Sequence, residues 1–184
     1  MEASHLIWKE ENRKDIFHSP VFSVRDTECR SPEGKKRVFT IIDAPDWVIT
    51  VPLIRTEGGL NFLMVRQWRH GSQELSLEFP GGVIEKGESP EAGAARELEE
   101  ETAYRAGKLS RLGDMSPNPA VMSNRVHYYL AEDLSALGGQ RLDEDEFVDA
   151  EIIPVAEVIR AMGRPPYVHA LSAAALALYL SLGA

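Results

Sequence analysis

The chain has 184 residues, 43% of them hydrophobic and 27% charged, with a formal net charge of −9. That is enough for one domain with a sizeable core, and the acidity argues against a nucleic-acid backbone or an anionic membrane as the main partner. Cys29 is the single cysteine, so neither a disulfide framework nor a cysteine zinc site can be built.

The start, MEASHLIWKEENRKDIF, is polar and mixed in charge and lacks the apolar core of a secretory signal. Residues 21–28 and 36–43 are β-rich around SPEG, where Pro32 and Gly34 supply a turn, and they predict a hairpin. PDW at 45–47 punctuates the chain. WVITVPLIR (47–55) and NFLMVRQW (61–68) predict two strands buried on both faces. A helix is predicted over 90–103, capped by Ser89 with Pro90 at its first position. LSRLGDM and RVHYYLA (125–131) predict further strands, and 155–163 and 167–182 predict helices, the first ended by Gly163. The last run, ALSAAALALYLSLGA, is too short to span a bilayer comfortably and reads as a buried helix. Strands interleaved with a few helices predict an α/β or α+β sandwich, and a cytoplasmic protein is expected.

The stretch 85–101 carries seven glutamates against one lysine and one arginine. On a helix at about 100° per residue, Glu97, Glu101 and Glu100 share one face, Arg96 flanks it and Glu99 points away. Gly93 lies one turn earlier on that face and has no side chain. Carboxylates converging on a gap suit a hard divalent ion, Mg²⁺ or Mn²⁺. The plainer alternative is a solvated face with an Arg96–Glu100 pair. Before the helix, Gly81-Gly82 lets backbone approach closely, and Glu88 is placed to meet Arg96.

Gly82, five residues, Glu88, seven residues, then Arg96-Glu97-Leu98-Glu99-Glu100-Glu101 resembles the Nudix box. Ala103 departs from it, standing where the family usually has a helix-ending glycine. The resemblance implies a Nudix-type α/β/α sandwich with a mixed sheet and hydrolysis of a nucleoside diphosphate linked to another group. It implies that Glu97 and Glu101 ligate metal with Glu100 beside them, that the Gly81 carbonyl adds a backbone ligand, and that Gly82, Glu88 and Arg96 shape the loop.

Beyond the box, VRQWRHGSQELSLEFPGG (65–82) and SPNPAVMSNRVHYYLAEDL (116–134) resemble segments of ADP-ribose pyrophosphatases. On that match Arg69 would contact the pyrophosphate, with a surface arginine at a strand end as the alternative. Glu78 would be a site glutamate or a brace. Pro119 stands at the distance of a family proline. Residues 1–44 resemble a small β region that dimerises and covers the partner's site, with 45–184 as the Nudix domain. Arg37 and Phe39 fall near ribose- or adenine-contact positions, and Trp8 and Trp47 are further stacking candidates; a core or interface aromatic is the alternative for each. His70, His127 and His169 read as structural. The substrate expected is ADP-ribose, cleaved to AMP and ribose 5-phosphate. The alternatives are another nucleotide-sugar or dinucleotide hydrolase of the superfamily, or a non-catalytic nucleotide-sensing module. The NADH-cleaving type is disfavoured because Cys29 cannot build its four-cysteine zinc module.

LDEDEFVDAE (142–151) has six acidic residues in ten. Taken alone it is a solvated loop. It resembles the acidic loop of ADP-ribose pyrophosphatases, which would place Glu144 as catalytic base and Glu146 as an extra carboxylate near metal, with Asp143 and Asp145 almost interchangeable in register. Gly138 and Gly139 could hinge it; if the loop is only surface, Glu100 is the next candidate base.

Overall fold

A computed structural model describes residues 3–142, 144 and 146–183. The described chain forms two compact units, 1–45 with 116–125, and 46–115 with 126–184.

In the first unit a three-stranded antiparallel sheet runs in the order β1 (Lys9–His18), β2 (Ser23–Arg30), β3 (Lys36–Asp43). The expected hairpin is β2–β3, with Arg30 opposite Lys36 across the turn at Gly34. β1 extends it to a meander. The sequence KEENRKDIFH is too polar to signal a strand, and all ten residues are exposed; what holds it is pairing with β2 and an ion-pair ladder in which Glu11 meets Arg30 and Lys36. Segment 116–125 joins this unit: Ile42 N–H donates to Val121 O at 2.7 Å, and Ser123 N–H donates to Ile42 O at 3.1 Å.

The second unit is built on a mixed sheet. Its strands are β4 (Trp47–Thr56), β5 (Gly59–Arg69), β6 (Glu74–Glu78), then after helix α1 (Pro90–Thr102) the short β7 (Tyr104–Arg105), β8 (Lys108–Met115), β9 (Val126–Glu132), the short β10 (Ser135–Ala136) and β11 (Val148–Pro154). Helices α2 (Val155–Ala161) and α3 (Ala170–Leu180) follow. The sheet order is β11-β5-β4-β9-β8, with β6 also on β5; β4 and β9 are parallel and the other pairs antiparallel. β7 and β10 pair separately.

Strand alternation assigns the two faces of β4. Val48 packs with Ala94 of α1, and the Thr50 hydroxyl donates to Ala94 O. Ile49 and Val51 point the other way, into the main core with Phe62, Phe79 and Tyr128 and with Val158, Leu176 and Tyr179 of α2 and α3. Phe62 meets Phe79 and Tyr179 edge-on at 5.0 and 5.2 Å, the favoured aromatic geometry. The result is an α/β/α sandwich with α1 on one face and α2 and α3 on the other. Among the described residues no helix is long and apolar enough to cross a membrane.

Helix α1 begins where the sequence signals it. Ser89 Oγ accepts from Ala92 N–H at 3.2 Å, and Pro90 occupies the first position. It ends at Ala103, which takes the left-handed conformation at φ 60° and donates its N–H to Glu99 O. A residue with a Cβ adopts that conformation at a cost of about 1 kcal/mol. Ala103→Gly should therefore stabilise the chain by roughly 0.5–1 kcal/mol in urea unfolding; a loss of stability would show that the methyl group contributes more than the strain costs.

Candidate active site

The segment after β6 runs extended beside β4: Thr50 N–H donates to Pro80 O and Val48 N–H to Gly82 O, both at 2.9 Å. It is wedged between β4 and α1, and glycine is what fits. A Cβ on Gly81 would lie 2.1 Å from Val48 O, and one on Gly82 would lie 2.5 Å from Glu97 Oε1. Gly81 N–H points the opposite way from its neighbours' carbonyls and donates to Glu101 Oε2 at 2.9 Å. In an extended strand the N–H and C=O of one residue point to the same side. The Gly81 carbonyl therefore also faces the α1 carboxylates.

Arg96 organises the near side of this face. Its Nε donates to Glu88 Oε1 at 3.0 Å, and its Nη2 to Glu88 Oε2 at 3.0 Å and Val83 O at 2.9 Å. Its Nη1 donates to Glu97 Oε1 at 2.9 Å and Glu100 Oε2 at 3.0 Å. Gly93 leaves no open gap: the Glu88 carboxylate fills that space, 3.0 Å from where a Cβ would stand. The Arg96–Glu100 pair exists, yet the face is not a solvated one, since Glu101 is 4% exposed and Glu97 is mostly covered. Glu99 lies apart, paired with Arg105 and Arg141.

Burial raises the Glu101 carboxyl to about 8; the Gly81 N–H opposes this, and the charges of Glu97 and Glu146 add to it. Glu97 is also raised, first by burial and then by Glu100 and Glu146, against the pull of Arg96. Glu97, Glu101 and Glu146 thus act on one another electrostatically. Among the described residues no three acidic or histidine side chains are already gathered to hold an ion; Arg96 holds Glu97 and the Gly81 amide holds Glu101. The donor set nevertheless fits a hard divalent cation: oxygen ligands only, buried, with excess negative charge and a backbone carbonyl on the same side.

Arg69, at the end of β5, forms a bidentate pair with Glu78 of β6, Nε to Oε1 at 2.9 Å and Nη2 to Oε2 at 2.5 Å. Glu78 has a side chain only 1% exposed, and His169 Nδ1 lies 3.0 Å from its Oε2, the oxygen that also accepts from Arg69 Nη2. Burial alone would push this carboxyl up; Arg69 and His169 outweigh burial and hold it down to about 2. Arg69 and Glu101 also attract each other electrostatically. His169, expected to be structural, holds a carboxylate 91 residues earlier in the chain, a contact with no local signal.

Glu144 is exposed, Glu146 is exposed within reach of the carboxylate face, and Asp143 and Asp145 lie outside the described residues. Arg37, Phe39 and Pro119 belong to the first unit. There Arg37 donates to Lys36 O, Phe39 packs edge-on against Trp8 at 5.2 Å, and Pro119 sits in the turn closed by Val121 and Met122 N–H on Asn118 O. Trp47 opens β4, and His127 Nε2 lies 3.2 Å from Asp46.

The NUDIX domain family model matches residues 45–173. An ADP-ribose pyrophosphatase of Bacillus subtilis (strain 168) is 36% identical over 149 residues, covering 80% of this chain and 79% of that protein. A methanol dehydrogenase activator of Bacillus methanolicus is 30% identical over 148 residues, covering 80% and 78%. Among solved structures, an ADP compounds hydrolase superposes with a TM-score of 0.82 at 26% identity, covering 95% of this chain and 94% of that one.

The Glu78 pair has a pH signature. Its carboxyl lies at about 2 in the fold and near the ordinary value of about 4.3 when unfolded, so the pair stabilises above the unfolded value and the benefit is lost as pH falls towards 2. Glu78→Gln should cost up to about 3 kcal/mol at pH 7 and progressively less towards pH 3 in urea unfolding. An equal cost at both pH values would remove the ion pair as the cause.

Proposed function

The chain belongs to the Nudix family, as a hydrolase of the ADP-ribose and ADP-sugar pyrophosphatase type, and on that premise we propose that it hydrolyses ADP-ribose to AMP and ribose 5-phosphate with Mg²⁺ or Mn²⁺. The observation that carries the reading is the buried Glu97–Glu101 face of α1, closed against Gly81-Gly82 and electrostatically attracting Arg69. A polyanionic substrate suits such a face only if cations intervene. Glu97, Glu101, Glu100, Glu146 and the Gly81 carbonyl would hold Mg²⁺ or Mn²⁺, which neutralises pyrophosphate charge and lowers the pKa of a bound water.

The chain's own residues do the rest. Arg69 is oriented by Glu78 and presents its guanidinium to the pyrophosphate, where planar paired donors match phosphate oxygens. Glu144, exposed and not tied to Arg96, accepts the proton of the attacking water. Water adds at one phosphorus, one bridging P–O bond breaks, and the leaving phosphate carries the electron pair. Glu88 and Arg96 hold the loop that supplies Gly81. Arg37, Phe39 and Pro119 are proposed to contribute substrate contacts. A wider choice among ADP-linked compounds is the second reading, favoured by the superposition on an ADP compounds hydrolase. Cys29, a free thiol, fits the reducing setting of the cytoplasm.

ADP-ribose incubated with Mg²⁺ should give AMP and ribose 5-phosphate by chromatography, and EDTA should stop the reaction. Glu101→Gln should lower kcat by orders of magnitude and Glu144→Gln by about 100-fold, with KM for the latter little changed. Turnover that survives chelation sinks the metal role; strong turnover of GDP-mannose with none of ADP-ribose sinks the substrate.

We propose also that 1–44 is a dimerisation arm. Phe17 and Val38 are exposed on one face of a small sheet by its register, apolar groups that a second copy would cover. Light scattering should give a dimer, and Phe17→Asp with Val38→Asp should weaken it. A monomeric, fully active chain would defeat the arm.

A further inference from the structure

The last turn of an α-helix leaves carbonyls without intrahelical partners. At the end of α1 these are taken by a later segment, between β10 and β11. Leu137 N–H donates to Ala103 O at 2.7 Å and Arg141 N–H to Glu100 O at 3.1 Å. The Gln140 side-chain amide donates to Glu101 O, and also to Val148 O at 3.1 Å. One NH₂ group has two hydrogens, so both are committed. Arg141 adds an ion pair to Glu99. The expected hinge, Gly138-Gly139, therefore lies between residues pinned on either side.

The two carbonyls held by Gln140 are not incidental ones. Glu101 bears one of the buried carboxylates. Val148 opens β11 and lies two residues after Glu146. Glu101 and Glu146 act on each other electrostatically, so the spacing between α1 and the start of β11 sets how closely their charges approach. α1 also packs on β11, and the Gln140 amide adds a direct hydrogen-bonded tie between residues 101 and 148.

We propose that Gln140 is a positioning residue that fixes Glu146 against the ligand helix and thereby sets the affinity of the site for its divalent cation. This rests on the proposed role of Glu146 as a carboxylate near metal. Gln140 touches no reacting atom; it acts on backbone either side of the two carboxylates.

The test is a double-mutant cycle read by Mg²⁺ titration of ADP-ribose hydrolysis. Gln140→Met keeps the length of the side chain and removes both donors. It should raise the Mg²⁺ concentration for half-activation by about tenfold or more, as loss of a group that orients metal ligands does. KM for ADP-ribose at saturating Mg²⁺ should stay within about twofold. Combined with Glu146→Gln, it should add nothing further, because its effect runs through Glu146. If the two effects multiply, Gln140 supports the fold alone and the proposal fails. If Glu146→Gln responds to Mg²⁺ like the wild type, the proposal and the role of Glu146 fail together. Mn²⁺ affinity by titration calorimetry needs no turnover and reads the same cycle, so an error in the choice of ADP-ribose would show separately.

Discussion

The site depends on one guanidinium. Arg96 has five N–H donors, and all five are engaged: three on Glu88 and the Val83 carbonyl, two on Glu97 and Glu100. The first group ties the loop that follows Gly81-Gly82 to the helix; the second draws two carboxylates of that helix together. Lysine, with three donors on a single nitrogen, cannot reproduce this fork. Because the loop and the helix share one cation, the position of the Gly81 backbone and that of the Glu97 carboxylate are not independent. Moving either one strains the same residue.

This arrangement sets the two faces of the sheet to different tasks. The α2–α3 face is apolar and interlocked through Phe62, Phe79 and Tyr179. The α1 face has a small apolar cluster, Val48, Ala94 and Tyr129, with polar ties doing the remaining work: the Ser89 cap, Thr50 to Ala94 O, Glu88 to Arg96 and Gln140 to Glu101 O. It also carries a destabilising group. The Glu101 carboxyl is pushed up to about 8, above its unfolded value, so the metal-free fold loses stability as pH rises from about 4.3 towards that value. The apolar face supplies the stability that the acidic face gives up.

Much of this was legible in the sequence. The box spacing gave the helix, its cap and the glycine pair, because those features are local and each residue type has few alternatives. Strands β4 and β5 showed as apolar runs because both of their faces are covered. β1 did not show, since an exposed strand held by ion pairs has no apolar period. β6 and β11 are short and acidic, and only their pairing with β5 makes them strands. The roles of His169 and Gln140 rest on contacts 91 and 39 residues away, His169 to Glu78 and Gln140 to Glu101, and no window of sequence reports such a distance. The glycine pair at 138–139 read as a hinge because glycine permits motion; the ties around it are what limit that motion.

The Arg69–Glu78 pair, buried on the glutamate side and open on the arginine side, would suit the proposed phosphate contact. Arg69 uses Nε and one hydrogen of Nη2 on Glu78, which leaves its outer edge able to meet another anion. Glu78 remains ionised down to about pH 2 because Arg69 and His169 flank it, so the orientation of the guanidinium does not vary over any ordinary pH. A free arginine on a strand end would have to lose side-chain freedom when substrate arrives, at a cost of up to about 2 kcal/mol. Here that loss is already met in folding. In the proposed reaction the donor edge stands fixed before the pyrophosphate binds, and charge that develops during P–O cleavage meets a cation that need not reorganise.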